Sequence, residues 1–233
     1  MSSDTHGRTR ARAPATTGAN GQRKQRKQRM PAADRRAAIL DAALGVFASA
    51  GFHEASLDAV AARAGISKAL IYEHFVSKQE LHRALLDTYG QELIVRVTGA
   101  ATAADPGEAR LRAGVEEFLS FVEDRPEAWR MVFRHLDDPG VAAWVEQMRS
   151  QVAGTIGVLI TRDAPLDLGE GGPSSELIAT MLAQQLIGGA QALANWWDEH
   201  DEVSREQMRD LIMNFAWVGL ERLAEGDRWT AAP

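Results

Sequence analysis

From residue 34 onward the apolar positions recur with helical spacing. Ile39, Leu40, Ala43, Leu44 and Phe47 fall at i, i+1, i+4, i+5 and i+8, which lays them on one face of a helix, and Gly51 stops the run. A first helix over about 34–50 is predicted. Ser56 stands as an N-cap before Leu57–Ala64, Gly65 breaks that helix, and Ser67 caps a third running to about Phe75. Ser77 opens a fourth, with Lys78, Leu81, Leu85, Leu86 and Tyr89 behind it, reaching about Ala101. After Asp105-Pro106-Gly107, Leu111, Val115, Phe118, Leu119 and Val122 repeat up to Pro126, and Glu127–Leu136 makes a shorter helix carrying Trp129, Val132 and Phe133. Pro139 begins a longer helix with Val141, Trp144, Val145, Met148, Val152, Ile156 and Leu159 on one stripe. A Gly- and Pro-bearing loop over 163–173 precedes two more helices, about 174–199 and 204–225. No stretch alternates with period 2, so the chain is predicted to be all-α with about nine helices.

The first thirty residues break this pattern. They hold no aromatic residue and no apolar periodicity, too little hydrophobic surface to offset the entropy of ordering, so a disordered arm over 1–33 is expected. Charge changes the picture most here. Residues 1–36 carry ten Lys and Arg against Asp4 and Asp34, a balance of +8, while the whole chain is −6, leaving −14 for the rest. A basic arm on an acidic body suits a partner that is a polyanion at one end only, and a solvated tail is the alternative. The chain has no cysteine, which excludes disulfides, Cys-ligated zinc, iron–sulfur clusters and thiol nucleophiles, and it fits a reducing cytoplasm. The longest uninterrupted apolar stretch, near Val152–Ile160, is about half the roughly 20 residues of a membrane helix, so neither a membrane span nor a secretion signal is expected.

Val60, Ala61, Gly65, Ile66, Ser67 and Ile71 have the spacing of a helix-turn-helix. Ala61 is small where two helices cross, Gly65 suits the positive φ of a tight turn, and Ile66 and Ile71 bury the joint. At 100° per residue Ile71 and Phe75 lie within about 40° of each other and define a buried face. Glu73 is then almost opposite, Ala69 and Leu70 beside it, Lys68 and Tyr72 on one rim and His74 on the other. Apolar groups there suit thymine methyls, Glu73 suits cytosine N4, and Lys68, Tyr72 and His74 suit phosphates.

Phe47, Gly51, Phe52, then Val60, Ala61, Ala64, Gly65, Ile66, Ser67 and Lys68, and finally Ile71-Tyr72-Glu73-His74-Phe75 with Ser77-Lys78 and Leu81, resemble the N-terminal domain of the TetR family of bacterial transcriptional repressors over about residues 35–86. The resemblance implies a helix-turn-helix domain over 34–85, a linking helix to about 101, and a larger helical domain over 105–225 that binds an effector and dimerises. It places Tyr72, His74 and Lys78 at phosphates, Lys68, Ala69 and Glu73 at bases, and Ser56 at the phosphate that opens the second helix. Arg35 and Leu70 complete the expected DNA-binding set. Two departures matter: Leu70 stands where a small or hydroxyl residue is usual, and Glu73 puts a negative charge in the groove, so an operator sequence does not transfer. The 34–85 domain holds six bases and six acids, which raises the importance of the arm.

The second domain is read physically. Gly188, Gly189, Ala190 and Ala192 on one helix, with Ala216 and Gly219 on the last, allow a close crossing, either within the chain or in a four-helix homodimer interface formed by Met181, Gly188, Gly189, Ala192, Leu211 and Phe215. A palindromic double-stranded operator asks for such a two-fold protein. Phe118, Trp129, Phe133, Trp144, Met148 and Gln185 are candidate lining of an apolar pocket, with core packing as the alternative; Gln185 and Asn195 are amides on an otherwise apolar face, which need partners. The stretch Val115–Ile160 resembles family members that sense fatty acyl thioesters, in which setting Arg125, Arg130 and Arg134 would meet an anion or simply face solvent. The Asp198–Glu202 run reads as a charged helix end, not a metal site. No catalytic constellation is discernible and no cofactor is expected. The leading expectation is a repressor, cytoplasmic and nucleoid-associated when bound, released from its operator by a small apolar effector; an all-α carrier or enzyme with an incidental helix-turn-helix is the alternative.

Deleting residues 1–30 removes eight basic residues and Asp4 but no predicted helix. Thermal stability is expected to stay unchanged, while DNA affinity falls and the slope of log affinity against log salt flattens by about 0.9 for each phosphate that is no longer neutralised. Equal slopes for the full and truncated chains, measured by fluorescence anisotropy, would make the arm a solvated tail.

Overall fold

The computed structural model describes residues 31–134, 139–163, 166–167, 169 and 171–227. The basic arm lies outside them. Among the described residues there are nine α-helices and no strand: α1 (Ala32–Glu54), α2 (Leu57–Ala64), α3 (Lys68–Tyr72), α4 (Lys78–Ala103), α5 (Glu108–Asp124), α6 (Pro126–Phe133), α7 (Pro139–Asp163), α8 (Ser175–Trp197) and α9 (Arg205–Ala224).

Local chemistry sets most of these boundaries. Ser56, Ser67, Ser77, Ser174 and Ser204 are extended N-caps, each accepting a hydrogen bond from a backbone N–H inside its helix. Ser204 forms a full capping box with Gln207. Gly65 closes α2 in the left-handed region at φ 65°, with Ile66 N–H reaching Ala61 O at 3.0 Å, the geometry that only glycine adopts without strain. Two boundaries differ from expectation. Gly51 interrupts α1 at φ 70°, ψ 174°, yet one further turn follows it to Glu54. The third helix ends at Tyr72 instead of Phe75, and His74 and Phe75 N–H both fold back onto Ile71 O as a turn.

Burial follows the predicted faces. Ile39, Ala43, Phe47, Val60, Ile71, Phe75, Leu81 and Leu85 form the centre of the α1–α4 region, and the same cluster continues without a break through Leu93, Phe121, Trp129, Val132, Val145 and Ala194. The helix-turn-helix and the larger region therefore share one core. α4 supplies part of that continuity, and α6, packed on α1, supplies the rest. At the far end Arg110 of α5 pairs with Asp163 of α7 and donates to Ala101 O at 3.1 Å, while Gly107 N–H donates to Asp163 at 2.8 Å. These bonds pin the end of α4, the start of α5 and the end of α7 together.

Helix α8 is apolar on most of its circumference. Its mean hydropathy of 1.3 over 18 residues makes it long and apolar enough to cross a membrane by composition, which a search for uninterrupted apolar runs does not reveal. Two separate apolar faces account for this: one against α7, and an outer one.

Gly90 of α4 sits under the indole of Trp144 from α7, whose Nε1–H donates to Asp87 at 2.9 Å. A Cβ at this position would overlap the ring. Gly90→Ala is expected to lower stability by about 1–3 kcal/mol through overpacking, read by chemical denaturation; an unchanged midpoint would mean that the indole moves aside freely.

Candidate nucleic-acid interface and effector cavity

Caps and the Gly65 turn hold α2 and α3 so that Ile71 and Phe75 are fully buried while Lys68, Ala69, Tyr72 and Glu73 face outward. Tyr72 is 49% exposed, an amphipathic ring held in water by the fold. Leu70 and His74 are half-buried at the margins, and Ser56 is exposed with its hydroxyl accepting from Ala59 N–H at 3.1 Å. Lys68 Nζ lies 2.9 Å from Asp58 Oδ2 on α2. That hydrogen bond and the Asp58 charge hold the Lys68 pKa above its ordinary value. The start of α3 is thereby braced against α2, and its positive charge is partly offset. Arg35 is half-buried on α1, and Arg36 stacks over the Phe75 ring at 5.0 Å.

Lys78 has a different setting from the one the resemblance implies. Its ammonium donates to Phe52 O at 2.7 Å, His53 O at 3.1 Å and Ala55 O at 2.9 Å, and lies over the Phe52 ring at 4.6 Å. All three donors are used. The cation sits at the carbonyl end of α1, where the helix dipole favours it, and locks α4 to the turn before α2. A phosphate would have to share a group already committed to the fold.

In the larger region a cavity of about 420 Å³ opens between α4, α5, α6, α7, α8 and α9. Its lining is overwhelmingly apolar and includes Phe118, Trp129, Phe133 and Met148, four of the six residues singled out in the sequence. Trp129 meets Phe118 edge-on with centroids 5.5 Å apart and Phe133 at 4.1 Å. Trp144 and Gln185 do not line it. Trp144 packs on Gly90, and Gln185 is exposed on the outer face of α8. Asn195 is accounted for by structure: its Oδ1 accepts from Trp129 Nε1–H at 3.0 Å and fixes the indole against the cavity. Arg130 and Arg134 bind Asp198, whose side chain is 5% exposed, and Arg125 pairs with Glu92, so the three arginines serve protein carboxylates. Among the described residues no cluster of His, Asp and Glu is arranged to hold a metal ion.

The polar members of the cavity wall were missed from sequence: Arg110 and Asp163, Arg149 with Gln191, and Glu221 with Glu225. A signal existed for Arg149, which at 100° per residue falls at the edge of the Val145, Val152, Ile156 stripe of α7, about 20° beyond Ile156.

Met181 (55% exposed), Leu211 (54%) and Phe215 (76%) stand out from α8 and α9, with Gly189 and Ala192 on the same outer side. Leu177, Trp196 and Val218 extend the apolar stripe. Gly188 departs from it. A Cβ there would lie 3.1 Å from Arg149 Nη2, so Gly188 faces α7 and makes room for that guanidinium.

A helix-turn-helix with an exposed outer face, on a helical body with an apolar cavity, is the arrangement of a DNA-binding transcriptional regulator. Residues 39–85 match the model for bacterial regulatory proteins of the tetR family, and residues 107–219 match the tetracyclin repressor-like C-terminal domain. The chain is 33% identical over 202 residues to the HTH-type transcriptional activator FasR of Mycolicibacterium smegmatis, covering 85% of this chain and 89% of that protein. Among solved structures, a TetR-like transcriptional regulator from Rhodococcus sp. RHA1 is similar at a TM-score of 0.70 and 29% identity, covering 83% of this chain and 99% of that one. The fatty acid degradation regulator FadR from Bacillus halodurans shares the fold at a TM-score of 0.63 and 17% identity, covering 84% and 97%. The chain belongs to the TetR family of transcriptional regulators.

Replacing Lys78 by Met strips three carbonyls of their donor. A loss of about 1.5–3 kcal/mol of stability is expected without any DNA present, the usual worth of hydrogen bonds to a charged group. Weakened DNA binding with an unchanged denaturation midpoint would instead assign Lys78 to a phosphate.

Proposed function

We propose that the chain is a ligand-responsive, homodimeric repressor that binds a palindromic operator and leaves it when a small, largely apolar effector, of fatty acyl type, fills the cavity. Residues 34–85 are the DNA-reading part, with α4 linking it to the effector and dimerisation part over 105–225. Ala69, Leu70 and Glu73 meet base edges; Arg35, Ser56, Lys68, Tyr72 and His74 meet the backbone; Phe118, Trp129, Phe133 and Met148 meet the effector. It acts in the cytoplasm, on nucleoid DNA.

The observation that carries this reading is α6. Trp129 and Phe133 line the cavity while Ala128, Met131 and Val132 are buried and the helix packs on α1, so a molecule that displaces the two aromatics acts on the support of the reading head. Concave apolar volumes of this size suit small molecules rather than macromolecules. The fatty acyl identity draws further support from the Bacillus halodurans neighbour, a fatty acid degradation regulator by name. Gel shifts on the chain's own upstream DNA, with and without a long-chain acyl compound, test it: the retarded band should form and then be released.

A second reading concerns the sign of control. The Mycolicibacterium smegmatis relative is named a transcriptional activator. Under that reading deletion of the gene lowers transcription of the bound promoter, where a repressor's deletion raises it.

The homodimer rests on the outer stripe of α8 and α9. Large apolar side chains at 54–76% exposure on α8 and α9 are costly in water, and a second copy would cover them in a two-fold interface. Nothing lies within 4 Å of a Cβ at Gly189, so Gly189→Arg is sterically free within one chain. It should shift sedimentation toward monomer and weaken operator binding, with helicity unchanged. An intact dimer would move the interface elsewhere.

A further inference from the structure

The cavity is apolar almost throughout, which makes two of its atoms conspicuous. Arg149 Nε and Gln191 Oε1 are both buried and have no hydrogen-bond partner. Both residues line the cavity, Arg149 from α7 and Gln191 from α8. They are neighbours across the seam between these helices: Arg149 Nη2 lies against Gly188, one turn before Gln191. Of the other polar residues in the wall, Arg110 and Asp163 are saturated by their own ion pair and by backbone groups, and Glu221 and Glu225 at the end of α9 are exposed. The guanidinium of Arg149 is poorly compensated by comparison, with Glu146 at 4.0 Å and itself largely in solvent.

A buried donor or acceptor left unmade costs more than a hydrogen bond ordinarily contributes. The Arg149 side chain is 29% exposed overall, yet its Nε is buried and unpaired at a mainly apolar wall, where a ligand oxygen would pair it. Arg149 offers only donors and a positive charge, while the Gln191 amide can turn end for end and present either an acceptor or a donor. The matching group is an oxygen that carries negative charge or a strong carbonyl dipole, at the head of a molecule whose remainder is apolar.

We infer that Arg149 and Gln191 read the head of the effector, an acyl oxygen of a carboxylate or thioester, and so select acyl amphiphiles over equally apolar molecules without a carbonyl. This rests on the cavity being the effector site. Gly188 is part of the device, since any side chain there would press on the guanidinium.

Isothermal titration of the full-length protein with dodecanoic acid, dodecanoyl-coenzyme A and dodecan-1-ol separates the possibilities. The acid or the thioester should bind more tightly than the alcohol. Arg149→Met should weaken that preferred ligand about 10- to 100-fold, the range for a hydrogen bond to a charged group, and change the alcohol less than about threefold. Gln191→Leu, which keeps the charge and tests the same head should Arg149→Met unfold, should lower the same preference in the same direction. If the acid fails and the thioester binds, the oxygen is the thioester carbonyl, and Arg149→Met must then weaken the thioester. Equal affinity for the alcohol, or equal weakening of all three by Arg149→Met, overturns the head-group assignment and leaves the cavity as an effector site. Absence of binding by all three overturns both.

Discussion

The burial of a single eight-residue helix joins the two regions of this protein. α6 is too short to be stable by itself, since isolated helices of this length do not offset their nucleation cost. Ala128, Trp129, Met131, Val132 and Phe133 of this helix are all buried, and packing alone holds it. One side of it rests on α1, beneath the reading head, and the other side is part of the cavity wall. The reading head and the cavity therefore share one short helix.

Polar ties fix the helix along its axis. Arg130 grips Asp198 with bonds of 2.8–3.0 Å, and Arg134 reaches the same carboxylate, so the charge of a nearly buried Asp is fully answered by α6 and the residue that ends it. Burying such a pair costs desolvation that attraction only roughly offsets, so its use is better sought in geometry than in net stability. At the other end Glu127 faces Arg63 of α2 at 3.5 Å, and Gly45 of α1 leaves the space through which that arginine passes. An exposed pair of this kind adds little energy. It does place α2 and α6 in register.

The reading head is held by similar means. Lys78 closes α1, Lys68 braces α3 against α2, and serines cap three successive helices. Cations that a sequence pattern assigns to DNA are in part committed to holding the head together. Tyr72, Ala69 and Glu73 remain exposed on its outer face.

Sequence alone determined the elements and the reading face. Helix number, the all-α class, the serine caps and the Gly65 turn are local facts, set by a 3.6-residue period and by hydrogen bonds spanning three or four residues, and Ile71 and Phe75 are buried as their spacing requires. Four of the six predicted cavity residues line the cavity for the same reason: large side chains on a helix stripe face inward. Tertiary structure decided which inward face meets empty space and which meets another helix. Trp144 and Met148 share one stripe, yet the first fills the notch at Gly90 and the second borders the cavity, a distinction set by α4 and invisible in α7. Gly188 and Gly189 are adjacent and equally small, but one accommodates Arg149 and the other lies open on the outer face, because α7 passes on one side only. Partners of charged groups were likewise beyond the sequence: Arg130 with Asp198 and Arg110 with Asp163 join residues more than fifty positions apart, and their pairing depends on where whole helices come to rest.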